Sequence, residues 1–333
     1  MNKKKKILTY GLRYSDFASQ RELFALRANG DIEIVGELAY DPDDEEIFYC
    51  RRSVEESLKL DFDLIIVCEG NVEDTWYSIA QSIGDHGNGS GLREKIIMLC
   101  DFVQPFHQDT EHRQVDILKE IVSASDEQIS DKNWVMDRLF EYGFYPFFKL
   151  TKDPTIKGVH FSTCGILQVP DEFLDLCMFL SDKKFDKAIE IGVARGGSSY
   201  VMAAILYRNN PDMIYRMVDI EDSLVHFEDT VKIIPSIQKS IPSTSENFVK
   251  EEYDFCFIDA DHSYEGIMTD WNNVGRYAGR LVVFHDIYAH EYDGLNGGTV
   301  RGWREIKTQV QDRDIREFSR YPDRWMGIGV VGG

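Results

Sequence analysis

The stretch Glu190-Ile191-Gly192-Val193-Ala194-Arg195-Gly196-Gly197-Ser198-Ser199 decides how the second half of this 333-residue chain is read. Upstream, Lys187 to Ile191 has the composition of a strand, and Ser199 to about Tyr207 reads as a helix. A glycine-rich turn joins them. Gly192 and Gly196 let the backbone pass close to a ligand, and Gly197 helps the helix start. Ser198 and Ser199 are expected to cap that helix. Alone, such a turn is weak evidence, because any strand-to-helix junction can contain one.

Outward from the turn the evidence accumulates. Met213 to Asp219 reads as the next strand, and Asp219 closes it where a carboxylate can accept both hydroxyls of a ribose. The competing reading is a polar strand end beside Glu221 and Asp222. A helix over Glu172 to Leu180 precedes this array, and strands over Tyr253 to Asp259 and Arg280 to Phe284 follow it. Each of these later strands delivers polar residues to its carboxyl end, where open α/β sheets bind ligands. The first carries Asp259-Ala260-Asp261-His262, the second His285-Asp286. One carboxylate from the first and the His-Asp pair from the second would hold a divalent ion with positions open for substrate. The plainer alternative is an Asp that caps the next helix and a structural His.

Taken in order, EIGVARGGSS, VDIEDS, FIDADHSYEG and LVVFHDI resemble the class I S-adenosylmethionine-dependent O-methyltransferases, in particular the branch acting on small molecules and sugars. The resemblance covers about the last 170 residues. It implies a cofactor site made by Glu190, Gly192, Ala194, Gly196, Ser198, Asp219 and Asp259, with the glycine turn at the methionine end and Asp219 on the ribose. It implies Mg2+ or another divalent ion on Asp259, His285 and Asp286. It implies a general base at His262, with Asp261 as a second catalytic candidate. His285 departs from the carboxylate common at its position, and Mg2+ prefers oxygen. His285 is therefore open to orienting substrate, to a metal-free site, or to a softer ion. An adenine contact is expected between Val225 and Glu252, near Ser240.

The first hundred residues also alternate strand and helix. Strands are expected over Lys6 to Tyr10, Ile32 to Ala39, Phe62 to Cys68 and Lys95 to Cys100. Helices are expected over Ser19 to Ala28, Val54 to Leu60 and Asp74 to Ile83. A small parallel sheet follows. Its first turn, Gly11 to Ser15, has a single glycine, which makes a poor phosphate loop, and Asp41, followed by further acids and Pro42, is open to two readings, a ribose-binding acid or a plain loop. Val115 to Ala124 and Trp134 to Tyr142 read as helices, and Gly143 to Phe148 as an aromatic connector. The fold class expected is α/β, with two Rossmann-like three-layer domains, the second of class I methyltransferase fold. The expected boundaries are 1–125 for the first domain, 126–163 for the connector and 164–333 for the methyltransferase domain.

Composition narrows the partners. The chain has 58 acidic and 37 basic side chains, a formal charge of −21, which disfavours a nucleic-acid partner. Apolar runs such as Leu281 to Phe284 are too short to span a bilayer, and Lys3 to Lys6 precede too short an apolar run for a signal peptide. The six cysteines, at 50, 68, 100, 164, 177 and 256, form no CxxC pair. They read as free thiols of a cytoplasmic protein. The expected activity is methyl transfer to a hydroxyl oxygen of a sugar, glycan or other small molecule, in a chain open to forming a homo-oligomer. Two alternatives stand beside it: an NAD-dependent oxidoreductase on the same scaffold, and a non-catalytic binding or assembly module. The loop Tyr288 to Gly298 is open to two readings, a mobile lid or a plain surface loop.

Overall fold

The computed structural model of the protein describes residues 4–11, 23, 26–27, 30–38, 54–68, 72–83, 91–99, 102, 113–149, 159–162, 164, 166–320 and 326–332. The chain divides into two compact units, residues 1–108 with 146–161, and residues 109–145 with 162–333.

In the first unit, the described elements are β1 (Lys5–Tyr10), β2 (Ile32–Leu38), α1 (Val54–Ser57), β3 (Leu64–Val67), α2 (Val72–Ile83) and β4 (Ile96–Met98). The four strands are parallel, in the order β2-β1-β3-β4. β3 is wholly apolar, the buried stretch of β1 begins at Ile7, and Ile7, Leu8, Ile65, Ile66 and Val67 are buried. That continuous apolar run is what a parallel strand covered on both faces requires. Gly11 is described, but the rest of its turn, Asp41, Cys50 and Cys100 lie outside the described residues, as does most of the helix expected over Ser19 to Ala28.

The second unit opens with three helices, α3 (Gln114–Ser123), α4 (Asp126–Ser130) and α5 (Lys132–Tyr142). Here the structure differs from the expected boundaries of 1–125, 126–163 and 164–333. All three helices belong with the C-terminal sheet. Arg208 donates to the Ala124 carbonyl at 2.6 Å and pairs with Asp126, and Lys132 pairs with Asp175 at 2.9 Å. The periodicity of α3 shows an apolar face, with Ile117, Leu118 and Ile121 buried, but periodicity does not say which sheet that face covers. The expected aromatic connector is also corrected. Gly143 ends α5 in the left-handed region, φ 100°, and residues Phe144–Lys149 form β5, paired with β6 (Val159–Ser162). Aromatic residues favour strands, so the run extends once the glycine has ended the helix.

The main sheet follows: α6 (Pro170–Leu180), β7 (Lys187–Ile191), α7 (Gly197–Asn209), β8 (Ile214–Val218), α8 (Phe227–Ile233), β9 (Ile237–Ser240), β10 (Phe255–Ile258), α9 (Tyr264–Asn273), β11 (Leu281–His285), α10 (Gly298–Gln309), β12 (Ile315–Phe318) and β13 (Ile328–Gly332). Its order is β12-β13-β11-β10-β7-β8-β9. Five strands are parallel, and β13 runs antiparallel between β11 and β12. The winding reverses at β7, with β8 and β9 on one side and β10 and β11 on the other. Such a reversal opens a crevice at the carboxyl ends of β7 and β10. Among the described residues no helix is long and apolar enough to cross a membrane.

One face of this sheet packs on α9 and α10. Phe284 lies 5.4 Å from Trp303 and 5.9 Å from Trp271, ring centre to ring centre, and Trp303 and Ile306 are fully buried. The two helices meet where Gly302 faces Ile267. A Cβ at Gly302 would lie 2.3 Å from Ile267 Cγ2. Alanine is the better helix former by about 1 kcal/mol, but overpacking costs about 1–3 kcal/mol. Gly302→Ala is therefore expected to lower the urea midpoint of unfolding. A raised midpoint would show that the helices separate freely.

Candidate active site

The glycine turn sits over the reversal point of the sheet. Gly192 has φ +86°, and a Cβ there would fall 2.0 Å from the Asp259 carbonyl oxygen. The strand ends are tied by backbone bonds, Gly192 N donating to Val218 O and Asp259 N to Ile191 O, both at 2.9 Å. Gly196, φ +87°, is the N-cap of α7. Ser198 and Ser199, expected as caps, instead lie inside the first turn, because the chain reverses at Gly196 and the helix starts at Gly197. No side chain caps α7.

Asp219 does not stand free at the end of β8. Its Oδ2 accepts from Val193 N and Ala194 N, both at 2.9 Å, and its Oδ1 accepts from Glu221 N at 3.1 Å. A carboxylate has about four acceptor sites, so it braces the turn and keeps little capacity for a ribose. Ala194 is exposed, with φ 43°. Ser240 ends β9 in register with Val218. Glu190 is buried beneath the turn and accepts a 2.6 Å hydrogen bond from the Tyr215 hydroxyl. Burial pushes its carboxyl up to about 8, against the opposing pull of that hydrogen bond.

The second cluster brings Asp259, His285 and Asp286 together. His285 ends β11, and Asp286 follows with φ 60°, its carbonyl accepting from Thr299 Oγ1 at 2.6 Å. His285 Nδ1 lies 3.1 Å from Asp259 Oδ1 and 3.5 Å from Asp286 Oδ1. His262 Nε2 lies 3.1 Å from Asp286 Oδ2 and 3.5 Å from Asp259 Oδ1. One ligand atom from each of Asp259, His285 and Asp286 fits within 4.8 Å of the others. Burial opposes charge on His285, but Asp259 and Asp286 outweigh it and push the imidazole up to about 10. Burial also opposes charge on His262, where the same two carboxylates prevail and raise it. Burial would lift Asp259, yet His285 and His262 hold it well below the usual carboxylate range, whereas burial dominates at Asp286 and raises it.

Asp261 is not part of this cluster. It is exposed, and its Oδ1 accepts from Ser263 N at 2.9 Å in the turn that leads into α9. Two contributors escaped sequence reasoning. Tyr292 stacks on the His262 ring at 4.4 Å and 15°. Its loop, open in the sequence to a lid or a plain surface reading, is a short helical turn tied to α9 by a 2.6 Å hydrogen bond from Asn296 to Glu265. Glu172 on α6 is buried and accepts from Arg320 N at 2.6 Å and Gly327 N at 3.0 Å. Burial pushes its carboxyl up to about 7, and His285 is among the charges that act on it. An acid flanked by apolar helix positions was the available signal, but nothing in the chain names its partners.

Residues 189–287 match the family model described as a methyltransferase domain. Over those residues the chain is similar to methyltransferase domains. Solved structures of low identity are similar to part of this chain. An O-methyltransferase from Bacillus cereus in complex with SAH is 16% identical, with 51% of this chain and 84% of that one covered and a TM-score of 0.36. A SAM-dependent O-methyltransferase from Thermotoga maritima is 15% identical, with 59% and 80% covered and a TM-score of 0.36. MycE of the mycinamycin biosynthetic pathway, in complex with Mg, SAH and mycinamycin VI, is 16% identical, with 46% of each chain covered and a TM-score of 0.33. No match is found among curated proteins.

The buried Glu190 has a consequence for stability. Its folded form holds a proton that the unfolded chain releases above its ordinary value of 4.5. Its contribution is full below that value and is lost as the pH rises through about 8. Glu190→Gln keeps the Tyr215 contact and removes the titration. In urea unfolding followed by circular dichroism, the variant is expected to match wild type at pH 4 and exceed it at pH 8. A variant weaker at pH 8 would mean that Glu190 is stabilising as an anion.

Proposed function

We propose that this methyltransferase moves a methyl group from S-adenosylmethionine to a hydroxyl oxygen of a sugar, glycan or other small acceptor. The observation that carries the reading is the junction at Gly192 and Asp259, which sets a glycine turn and a His/Asp cluster at one sheet crevice. The turn fits the cofactor on its own geometry. A Cβ at Gly192 would meet the Asp259 carbonyl and one at Gly196 the Tyr200 ring, so the two glycines keep the turn close over the strand ends, and the uncapped start of α7 suits a carboxylate. The sulfonium supplies an electrophilic methyl, so the protein must supply an aligned, deprotonated oxygen.

His262 is the base in this reading. It is partly exposed at the cluster, and Tyr292 fixes its ring plane. The donor set of Asp259, Asp286 and His285 fits a divalent ion, two carboxylates suiting Mg2+ and the imidazole admitting a softer metal. Such an ion would lower the acceptor's hydroxyl pKa and orient neighbouring oxygens. Asp259 and Asp286 raise His262 when no cation offsets them. Charge placed between them favours the neutral imidazole that a base requires. Asp219 holds the turn in shape and offers its remaining acceptor site to the ribose. The acceptor is small and is not a nucleic acid, in keeping with the charge of −21. The free thiols of Cys177 and Cys256 suit a reducing cytoplasm.

His262→Ala is expected to cut turnover on a hydroxylated acceptor by about a hundredfold or more. S-adenosylhomocysteine binding, read by calorimetry, should stay close to wild type. Unchanged turnover would remove His262 from the chemistry. Loss of both turnover and cofactor binding would make it a structural residue.

A further inference from the structure

One member of the His/Asp cluster has an uncommon backbone. Asp286 takes φ 60°, in the left-handed region, directly after β11 ends at His285. A residue other than glycine keeps that conformation where its surroundings hold it. The Asp286 carbonyl accepts from Thr299 Oγ1 at 2.6 Å and from Ala289 N at 3.1 Å. The two residues after Asp286 are tied to the chain that enters β13. Ile287 N donates to Gly327 O at 3.3 Å, and Tyr288 N donates to Met326 O at 2.7 Å. β13 begins at Ile328, in register with His285. The backbone at Met326 and Gly327 therefore sets the path of the chain as it leaves Asp286.

That backbone is itself left-handed, with φ 48° at Met326 and φ 86° at Gly327. It also fits closely. A Cβ at Gly327 would lie 2.8 Å from Tyr288 Cδ2 and 2.9 Å from Ile287 Cγ1. The group that anchors it comes from another element. Glu172 of α6, 2% exposed, accepts from Gly327 N at 3.0 Å through Oε2 and from Arg320 N at 2.6 Å through Oε1. One carboxylate thus holds the chain just past β12 and just before β13. Both partners are donors, so the place calls for two acceptor oxygens on one side chain, which an ionised acid supplies. Burying a carboxylate is costly, and Phe173, Leu174 and Leu176 already give this helix its apolar packing. Among the described residues no hydrogen bond joins Glu172 to the cluster, so its route to Asp286 is the main chain.

We propose that Glu172 is a positioning residue for Asp286. It clamps the Gly327 backbone, which through Ile287 and Tyr288 holds the left-handed turn and aims the Asp286 carboxylate at His262 Nε2, 3.1 Å away. The assignment rests on the methyltransferase reading above only for the chemistry that Asp286 serves. Glu172 lies outside the four motifs that mark the domain in the sequence, and it touches no reacting group.

The test uses the full-length protein, freed of divalent ions, at pH 8. That lies above the value of about 7 to which burial pushes Glu172, so both its oxygens accept. Glu172→Met removes both bonds, and Glu172→Gln keeps one acceptor oxygen. Leu176→Val loosens the packing of the same helix and leaves the carboxylate in place. Two signals are read: the His262 ring resonances by NMR, assigned by their loss in His262→Ala, and Mn2+ affinity by electron paramagnetic resonance. In Glu172→Met the ring resonances should move and Mn2+ should bind about tenfold or more weaker, with Glu172→Gln in between. S-adenosylhomocysteine affinity, read by calorimetry, should stay close to wild type, and Leu176→Val should change neither signal. Unmoved His262 resonances in Glu172→Met overturn the assignment. The same changes in Leu176→Val, or a matching loss of S-adenosylhomocysteine affinity in Glu172→Met, also overturn it, since the acid would then be scaffolding. A wild type without affinity for Mn2+ sinks the metal reading above, and the His262 resonances then decide on Glu172 by themselves.

Discussion

The structure of the C-terminal unit depends on how closely two backbones pass at the carboxyl edge of its sheet. With a hydrogen in place of a side chain at Gly192, the turn after β7 lies against the Asp259 carbonyl at the end of β10. Hydrogen bonds from Gly192 to Val218 and from Asp259 to Ile191 hold three strand ends level. Asp219 ties the loop above them with two backbone N–H bonds. The floor of the crevice is therefore made by main chain, and its precision does not depend on long side chains finding one rotamer. Groups delivered by β7, β10 and β11 inherit that precision, as sites built on regular elements do.

Charge inside the crevice is balanced locally. Two imidazoles lie among the carboxylates of Asp259 and Asp286, all within about one side chain of each other. Burial shifts each group, and each shift is countered by a neighbour of opposite sign. Around this centre stand Glu190 and Glu172, acids whose solvation has been replaced by a hydroxyl or by backbone N–H groups. Groups so coupled titrate together, so the proton inventory belongs to the cluster more than to any one member.

How much of this was legible in the chain varies by element. The glycine turn, the Asp259 strand and the His285-Asp286 pair were readable because apolar runs end abruptly in polar residues, which is how a buried strand reaches a ligand-facing edge. Strand β9, with the sequence IQKS, and strand β12, with IREF, escaped because half their residues are exposed and each spans only four residues. Pairing alone makes them strands. The placement of α3 to α5 escaped because an amphipathic helix advertises a face and not its partner. Asp219 was found at the right strand end, but its bonds to Val193 and Ala194 could not be read, since loop backbone carries no pattern in the sequence. Asp261 looked like chemistry because it stood beside His262, and its bond to Ser263 shows the local turn that residues of its type also serve. Tyr292 and Glu172 reach the site from segments thirty residues and more than a hundred residues away along the chain from His262 and His285.

The antiparallel insertion of β13 bears on how the protein is made. The strand that ends in His285 has β10 on one side and β13 on the other, and β13 is synthesised more than forty residues later than His285. On the ribosome, β11 presents an open edge until residues 328–332 emerge from the exit tunnel. Unpaired apolar edges recruit other strands. The strand that carries His285 to the crevice thus has an open edge in the nascent chain, and a pause in translation just short of β13 would prolong that exposure.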